Sequence, residues 1–179
     1  MILSGDVEIV EAVLPDVFSY QSVLYVGARP GRQILAGEFK ARGATVDLLE
    51  IWGPNFDELS KTHRHIFDEF ILGDVRDIGM CVSKTYNVIC WWHGPEHIYP
   101  HEMEKTLKAL ENFATDLVFV GCPYGNYPQG PIDGNVYETH LQALTPEDFR
   151  RLGWLAVSFG KKDGPDSFVL AWKRKNKED

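Results

Sequence analysis

The apolar positions fall in short runs separated by amphipathic stretches. Val23 to Val26 is continuously apolar and stops at Gly27, which suits a strand buried on both faces. From Gly31 to Arg42, Ile34, Leu35 and Phe39 share one helical face, with Gly43 in the stop position. Thr45 to Ile51 is a second apolar run, ended by Gly53-Pro54-Asn55, and a short helix over Phe56 to Lys61 follows. Phe67 to Leu72 reads as a third strand closed by Gly73-Asp74, and Asn87 to Trp92, β-branched and aromatic, as a fourth. Past Gly94-Pro95 a helix runs from Pro100 to Phe113. Pro100 suits its first position, Glu102 and Glu104 complement its positive end, and Met103, Leu107 and Leu110 form its buried stripe. Asp116 to Val120 is a fifth strand, ending at Gly121-Cys122-Pro123.

A long loop, Tyr124 to Glu138, is rich in Gly, Pro, Asn and Tyr, and loops of this length are functional or disordered. Thr145-Pro146-Glu147-Asp148 is a capping box that opens a helix, and Gly153 stops it. Trp154 to Phe159 and Phe168 to Trp172 pair as a terminal antiparallel hairpin. Val7 to Leu14 is a lead-in helix stopped by Pro15. Alternating strands and helices predict a Rossmann-like three-layer α/β/α sandwich, with a mostly parallel seven-stranded sheet and an antiparallel terminal hairpin. We expect one domain over residues 1–179, with residues 1–20 as a helical lead-in and 173–179 as a frayed charged tail.

Composition narrows the partners. Twenty-six acidic against 18 basic residues leave a net charge of -8, which repels nucleic-acid backbones. No apolar run approaches the roughly 20 residues that span a bilayer. Met1 to Leu14 carries Asp6, Glu8 and Glu11 without a basic start, unlike a secretory signal. Cys81, Cys90 and Cys122 are odd in number and form no close pair, which fits a reducing cytoplasm and neither a disulfide nor a zinc site. The expected protein is cytoplasmic, a monomer or homodimer, with a small-molecule partner and no bound metal.

The chemistry collects at strand ends, where α/β sheets bind ligands. Gly27 and Gly31 frame a turn between the first strand and its helix, allowing close backbone approach to a nucleotide-bearing cofactor. Arg29, inside that turn, reads equally as a solvated loop residue or as a partner for a cofactor carboxylate. Glu50 stands among Leu49, Ile51 and Trp52. A carboxylate there is costly to bury unpaired, and two ribose hydroxyls would satisfy it. Asp47, inside the same strand, is the weaker candidate. Trp91 and Trp92 point to opposite sheet faces, so one packs in the core while the other is free to reach a pocket. His93, Glu96 and His97 follow the fourth strand, but Gly94-Pro95 breaks the helix that would align two rings on a metal.

This arrangement resembles the class I S-adenosylmethionine-dependent methyltransferase family from about Tyr20 to Trp172. The family's first motif, a strand then Asp-x-Gly-x-Gly-x-Gly, stands here as Tyr25-Val26-Gly27-Ala28-Arg29-Pro30-Gly31. Tyr25 replaces the usual acid, Arg29 the usual middle glycine, and Asn87 an Asp that often opens strand four. The motif after strand four is matched by Trp92-His93-Gly94-Pro95-Glu96-His97-Ile98, and the hairpin matches the family's reversed seventh strand. A further similarity, to small bacterial and archaeal methyltransferases, rests on Pro123-Tyr124-Gly125, Gly134-Asn135 and His140.

The resemblance implies S-adenosylmethionine as cofactor. Gly27, Ala28, Arg29 and Gly31 would hold its methionine part, Glu50 and Ile51 its ribose, and Asp74 and Val75 its adenine. Trp92 would meet its sulfonium through a cation–π contact. His93 would accept the acceptor's proton. His97, Tyr124, Tyr127 and His140 would shape the acceptor site. Two alternatives stay open: a non-catalytic module of this fold, suggested by Tyr25 and Arg29, and another Rossmann-type enzyme such as an NAD-dependent oxidoreductase.

Overall fold

The computed structural model describes residues 5–164 and 166–175. Its strands are β1 (Ser22–Val26), β2 (Thr45–Glu50), β3 (Glu69–Leu72), β4 (Tyr86–Trp92), β5 (Ala114–Pro123), β6 (Leu155–Phe159) and β7 (Phe168–Arg174). The helices are α1 (Gly5–Val13), α2 (Ile34–Ala41), α3 (Gly53–Thr62), α4 (Ile78–Cys81), α5 (Pro100–Phe113) and α6 (Pro146–Arg150).

The strands form one sheet in the order β3-β2-β1-β4-β5-β7-β6. β1 through β5 are parallel, and β7 runs antiparallel between β5 and β6. The apolar runs forecast this, because strands buried on both faces need no polar alternation. One sheet face, through Val23, Tyr25, Leu48 and Cys90, packs on Val10, Leu35, Phe39 and Leu59 of α1 to α3. The other, through Leu24, Leu49, Ile89 and Val120, packs on Ile78, Leu107, Leu110 and Phe149 of α4 to α6. Fully buried residues such as Phe39 and Leu107 each contribute about 1.5–3 kcal/mol.

Several boundaries differ from the sequence expectation. α2 starts at Ile34 rather than near Gly31, because Gly31 has φ +79° and stays in the turn. α4 was not expected: the Asp74 carboxylate accepts from the Arg76 amide at 2.9 Å, opening a 3-10 turn over Val75–Asp77 that leads into it. β5 begins at Ala114 because α5 passes into it without a loop. The expected capping box is present at the start of α6, with Asp148 accepting from the Thr145 amide at 2.8 Å and also from its hydroxyl.

The expected fraying from Lys173 onward is corrected. Lys173 pairs with Val118 in the sheet, and Arg174 reaches Asp16 at 2.6 Å. Residues 1–4 of the lead-in and 176–179 of the tail lie outside the described residues. Among the described residues no helix is long and apolar enough to cross a membrane.

Candidate active site

The parallel strands end on one edge, and the chain diverges between β1 and β4. A cavity of about 360 Å³ opens there, in the range of small-molecule sites. Strand tips, α1 and the 124–140 loop enclose it.

The glycine turn is fastened to the end of β2. Gly27 takes φ +73° and donates its amide to the Leu49 carbonyl at 2.8 Å. The Ala28 amide donates to Glu50 Oε2 at 2.8 Å, and the Trp52 amide to Glu50 Oε1 at 2.7 Å. Glu50 is only 4% exposed, so burial pushes its carboxyl up to about 7, against the pull of the two amides. Each oxygen keeps a lone pair for one further donor. The Arg29 guanidinium pairs with Asp133 at 2.6 Å, joining the turn to the 124–140 loop, and the Arg29 carbonyl accepts from Gln33.

Asp74 lines the cavity beside Val75 and Ile51 while capping its own turn. The Arg76 guanidinium holds it at 2.6 Å and reaches Glu102 of α5 at 3.1 Å. Asp47 stands elsewhere: buried in mid-strand, it accepts from the Tyr86 hydroxyl at 2.9 Å and pairs with Lys84 at 2.7 Å. Its role is in the packing of β2.

At the end of β4 the two tryptophans turn to opposite faces, and both reach the cavity. Trp92 stacks on Phe168 with ring centres 4.6 Å apart and donates its indole N–H to Asp6 of α1 at 3.3 Å. Burial raises the Asp6 carboxyl above its ordinary value, against the attraction of His93. Trp91 lies over Gly94, where any β-carbon would overlap the indole. His93 adopts φ +52°, unusual for a side-chain-bearing residue, and its amide donates to the Gly121 carbonyl at 2.8 Å. The half-exposed imidazole places Nδ1 3.5 Å from Glu96. Burial pushes the Glu96 carboxyl up, but His93 and His97 outweigh it and hold the group below the ordinary carboxylate range.

The 124–140 loop is ordered by its own hydrogen bonds. Asp133 and Gly134, both at positive φ, make a tight turn between Ile132 and Asn135. The Leu141 amide donates to the Glu96 carbonyl at 2.8 Å, and Gln142 reaches the Pro95 carbonyl, so the loop is moored to the turn after β4. His140 packs 4.9 Å from the His97 ring, and burial holds its imidazole below the usual histidine range.

Of the residues expected at the site, Gly27, Ala28, Arg29, Glu50, Ile51 and Asp74 line the cavity. So do Val75, Trp92, His93, His97, Tyr127 and His140. Gly31 and Tyr124 do not. Gly31 shapes the turn through its positive φ, and Tyr124 packs against the core where its backbone bonds to Ser167 and Asp163. The sequence reading missed Asp6 and Ile9 of α1, Arg76, and Phe168 at the start of β7. Only topology brings these near the turn. Glu96 was visible between two histidines, but its burial was not.

No protein-family model matches the sequence, and no curated protein does. Solved structures match over nearly the full length. Magnesium protoporphyrin IX methyltransferase (ChlM) from Synechocystis PCC 6803, with bound SAH, superposes with TM-score 0.69 at 11% identity, over 97% of this chain and 82% of that one. The DhpI-SAM-HEP complex gives TM-score 0.71 at 12% identity, over 95% and 86%. The N-methyltransferase NodS from Bradyrhizobium japonicum WM9 gives 0.67 at 12%, over 96% of each chain. The chain has the class I S-adenosylmethionine-dependent methyltransferase fold. In that fold the hairpin β6–β7 is the reversed terminal pair expected from the sequence, and the cavity lies along the carboxyl edge of β1 to β5.

Proposed function

We propose that this protein is an S-adenosylmethionine-dependent methyltransferase acting on a small-molecule acceptor. One observation carries the reading. The buried Glu50 carboxylate is fixed by the Ala28 and Trp52 amides at the β1–β2 edge of the cavity, with capacity for two more donors. The two hydroxyls of a ribose supply that pair. Gly27, Ala28 and Arg29 line the methionine end, and Asp74, Val75 and Ile51 the adenine end. Trp91 and Trp92 wall the space between them, where an indole face attracts a sulfonium.

The acceptor sits beyond the end of β4, against α1, His97, Tyr127 and His140. The methyl carbon passes from sulfur to the acceptor's nucleophilic atom, leaving a neutral thioether. His93 takes the acceptor's proton. Holding sulfonium and nucleophile in line, away from water, supplies most of the acceleration.

The reading as a non-catalytic module drew on Tyr25 and Arg29; Tyr25 is buried beside Phe67, and the Arg29 guanidinium turns onto Asp133. The test is separate calorimetric titration with S-adenosylhomocysteine and NADH. One-to-one binding of S-adenosylhomocysteine without NADH binding is expected. Binding of NADH alone would replace this reading with an oxidoreductase, and binding of neither with a non-catalytic module.

A further inference from the structure

The turn after β4 and the end of the 124–140 loop bring Glu96, His97 and His140 together in the cavity wall. One ligand-capable atom from each lies within 4.8 Å of the others. The two imidazoles are already oriented. His97 Nδ1 faces the Thr139 carbonyl oxygen at 3.2 Å, and His140 Nδ1 faces the Tyr127 carbonyl oxygen at 2.5 Å. A carbonyl oxygen only accepts, so each Nδ1 carries a hydrogen, and in the neutral ring each Nε2 presents a lone pair. Histidines that ligate metals are held in this way.

Glu96 completes the arrangement. It is 2% exposed, and neither carboxylate oxygen receives a hydrogen bond. The nearest nitrogens are His93 Nδ1 at 3.5 Å and His97 Nε2 at 3.8 Å. A buried carboxylate that receives no hydrogen bond needs a positive partner, and an ion held among these three groups supplies one.

We propose that Glu96, His97 and His140 form a two-histidine, one-carboxylate site for a divalent first-row transition ion of the zinc or ferrous kind. The nitrogen-rich set argues against magnesium and calcium, which take oxygen ligands. Bonds of about 2.1 Å in tetrahedral geometry place ligand atoms about 3.4 Å apart, so the His97–Glu96 pair is already near its spacing. The three ligand atoms lie within 4.8 Å of one another, so the set closes by about 1.4 Å at most to reach that spacing. Three protein ligands leave coordination positions open, and all three residues line the cavity that His93 borders. One carboxylate against a divalent ion leaves net positive charge, which would bind an anionic oxygen or a nitrogen lone pair. His93 and His97 both approach the same Glu96 oxygen, Oε1, so His93 stands beside the site. That the bound group is the methyl acceptor rests on the methyltransferase reading; binding of the ion does not.

The test uses the full chain stripped with EDTA, titrated with zinc by calorimetry and with cobalt by visible absorption near neutral pH. One equivalent is expected, with a cobalt d–d band. Glu96→Gln and His140→Ala should each weaken binding at least about 100-fold. His65→Ala, on the surface beside His63, should leave it unchanged. The metal-free His140→Ala variant should melt with the wild type, because that ring lies on a partly exposed loop. If Glu96→Gln does not fold, His140→Ala alone decides.

Absence of binding at millimolar zinc would overturn the site and leave a protonated histidine as the partner of Glu96. Equal binding by His140→Ala would overturn it too. S-adenosylhomocysteine affinity of the metal-free protein is measured in parallel. Zinc binding without nucleoside binding would sink the methyltransferase reading and keep this site, and the reverse result would do the opposite.

Discussion

Glu50→Gln tests the centre of the proposed cofactor site through two opposed pH dependences. In the folded chain burial carries the Glu50 carboxyl from 4.5 to about 7. Between those values the folded protein holds a proton that the unfolded chain has released. Stability therefore falls as pH rises from 4.5 towards 7 and levels off above it. The shift amounts to about 3 kcal/mol in all, of which about 2.5 kcal/mol falls between about pH 5 and 8. Glutamine does not titrate. Its NH₂ faces one of the two amides that Glu50 satisfies, a penalty of about 1–3 kcal/mol that does not vary with pH. Urea unfolding of both proteins across this range should show the wild type losing about 2.5 kcal/mol relative to the variant. Binding should run the other way. The ionised carboxylate is the better acceptor for ribose hydroxyls, so wild-type affinity for S-adenosylhomocysteine rises through about pH 7. At high pH the variant should bind about 5- to 150-fold more weakly, the worth of about 1–3 kcal/mol of charged hydrogen bonds. Parallel stability curves, with equal affinities, would refute the placement of Glu50.

Three further outcomes separate site from scaffold. Asp47→Ala leaves the buried Tyr86 hydroxyl without its acceptor, so stability should fall by about 1–3 kcal/mol in urea unfolding while S-adenosylhomocysteine affinity in the folded variant stays unchanged. Gly121→Ala places a β-carbon 2.5 Å from the Phe168 ring and 2.6 Å from Trp92, so it should cost about 1–3 kcal/mol by thermal unfolding and weaken nucleoside binding by displacing both rings. Asp133→Asn breaks an exposed ion pair, so the melting temperature should not move. Stopped-flow fluorescence should then show faster S-adenosylhomocysteine release, because the loop loses its tie to the glycine turn.

Strands and the long helix were legible because their signals are local. Val23 to Val26 and Val88 to Trp92 carry uninterrupted apolar character, and Pro100 with Glu102 marks the start of α5 at its observed residue. α4 was not legible, since four residues hold no period and the element depends on the Asp74 cap. Within the cavity, Gly27, Glu50 and Asp74 could be read because each ends a strand or opens a turn. Asp6 and Phe168 could not, because they are 86 and 76 residues from Trp92, whose indole N–H the one accepts and on whose ring the other stacks. The Glu96–His97–His140 cluster fails for the same reason: it needs a loop to fold back across more than forty residues.

The reversal of β7 has a consequence for synthesis on the ribosome. An antiparallel strand presents its starting residue at the edge where its parallel neighbours finish, which is why Phe168 stands against Trp92. The glycine turn and Glu50 emerge early, yet the wall behind Trp92 is absent until the chain has grown past Phe168 and β7 has inserted between β5 and β6. Such distant pairing is slow compared with local helix formation. A nascent chain should therefore hold a collapsed β1–β5 sheet with no competent pocket. On the methyltransferase reading, capture of S-adenosylmethionine would report that β7 has docked, and ligand added during translation would favour that step without guiding the earlier ones.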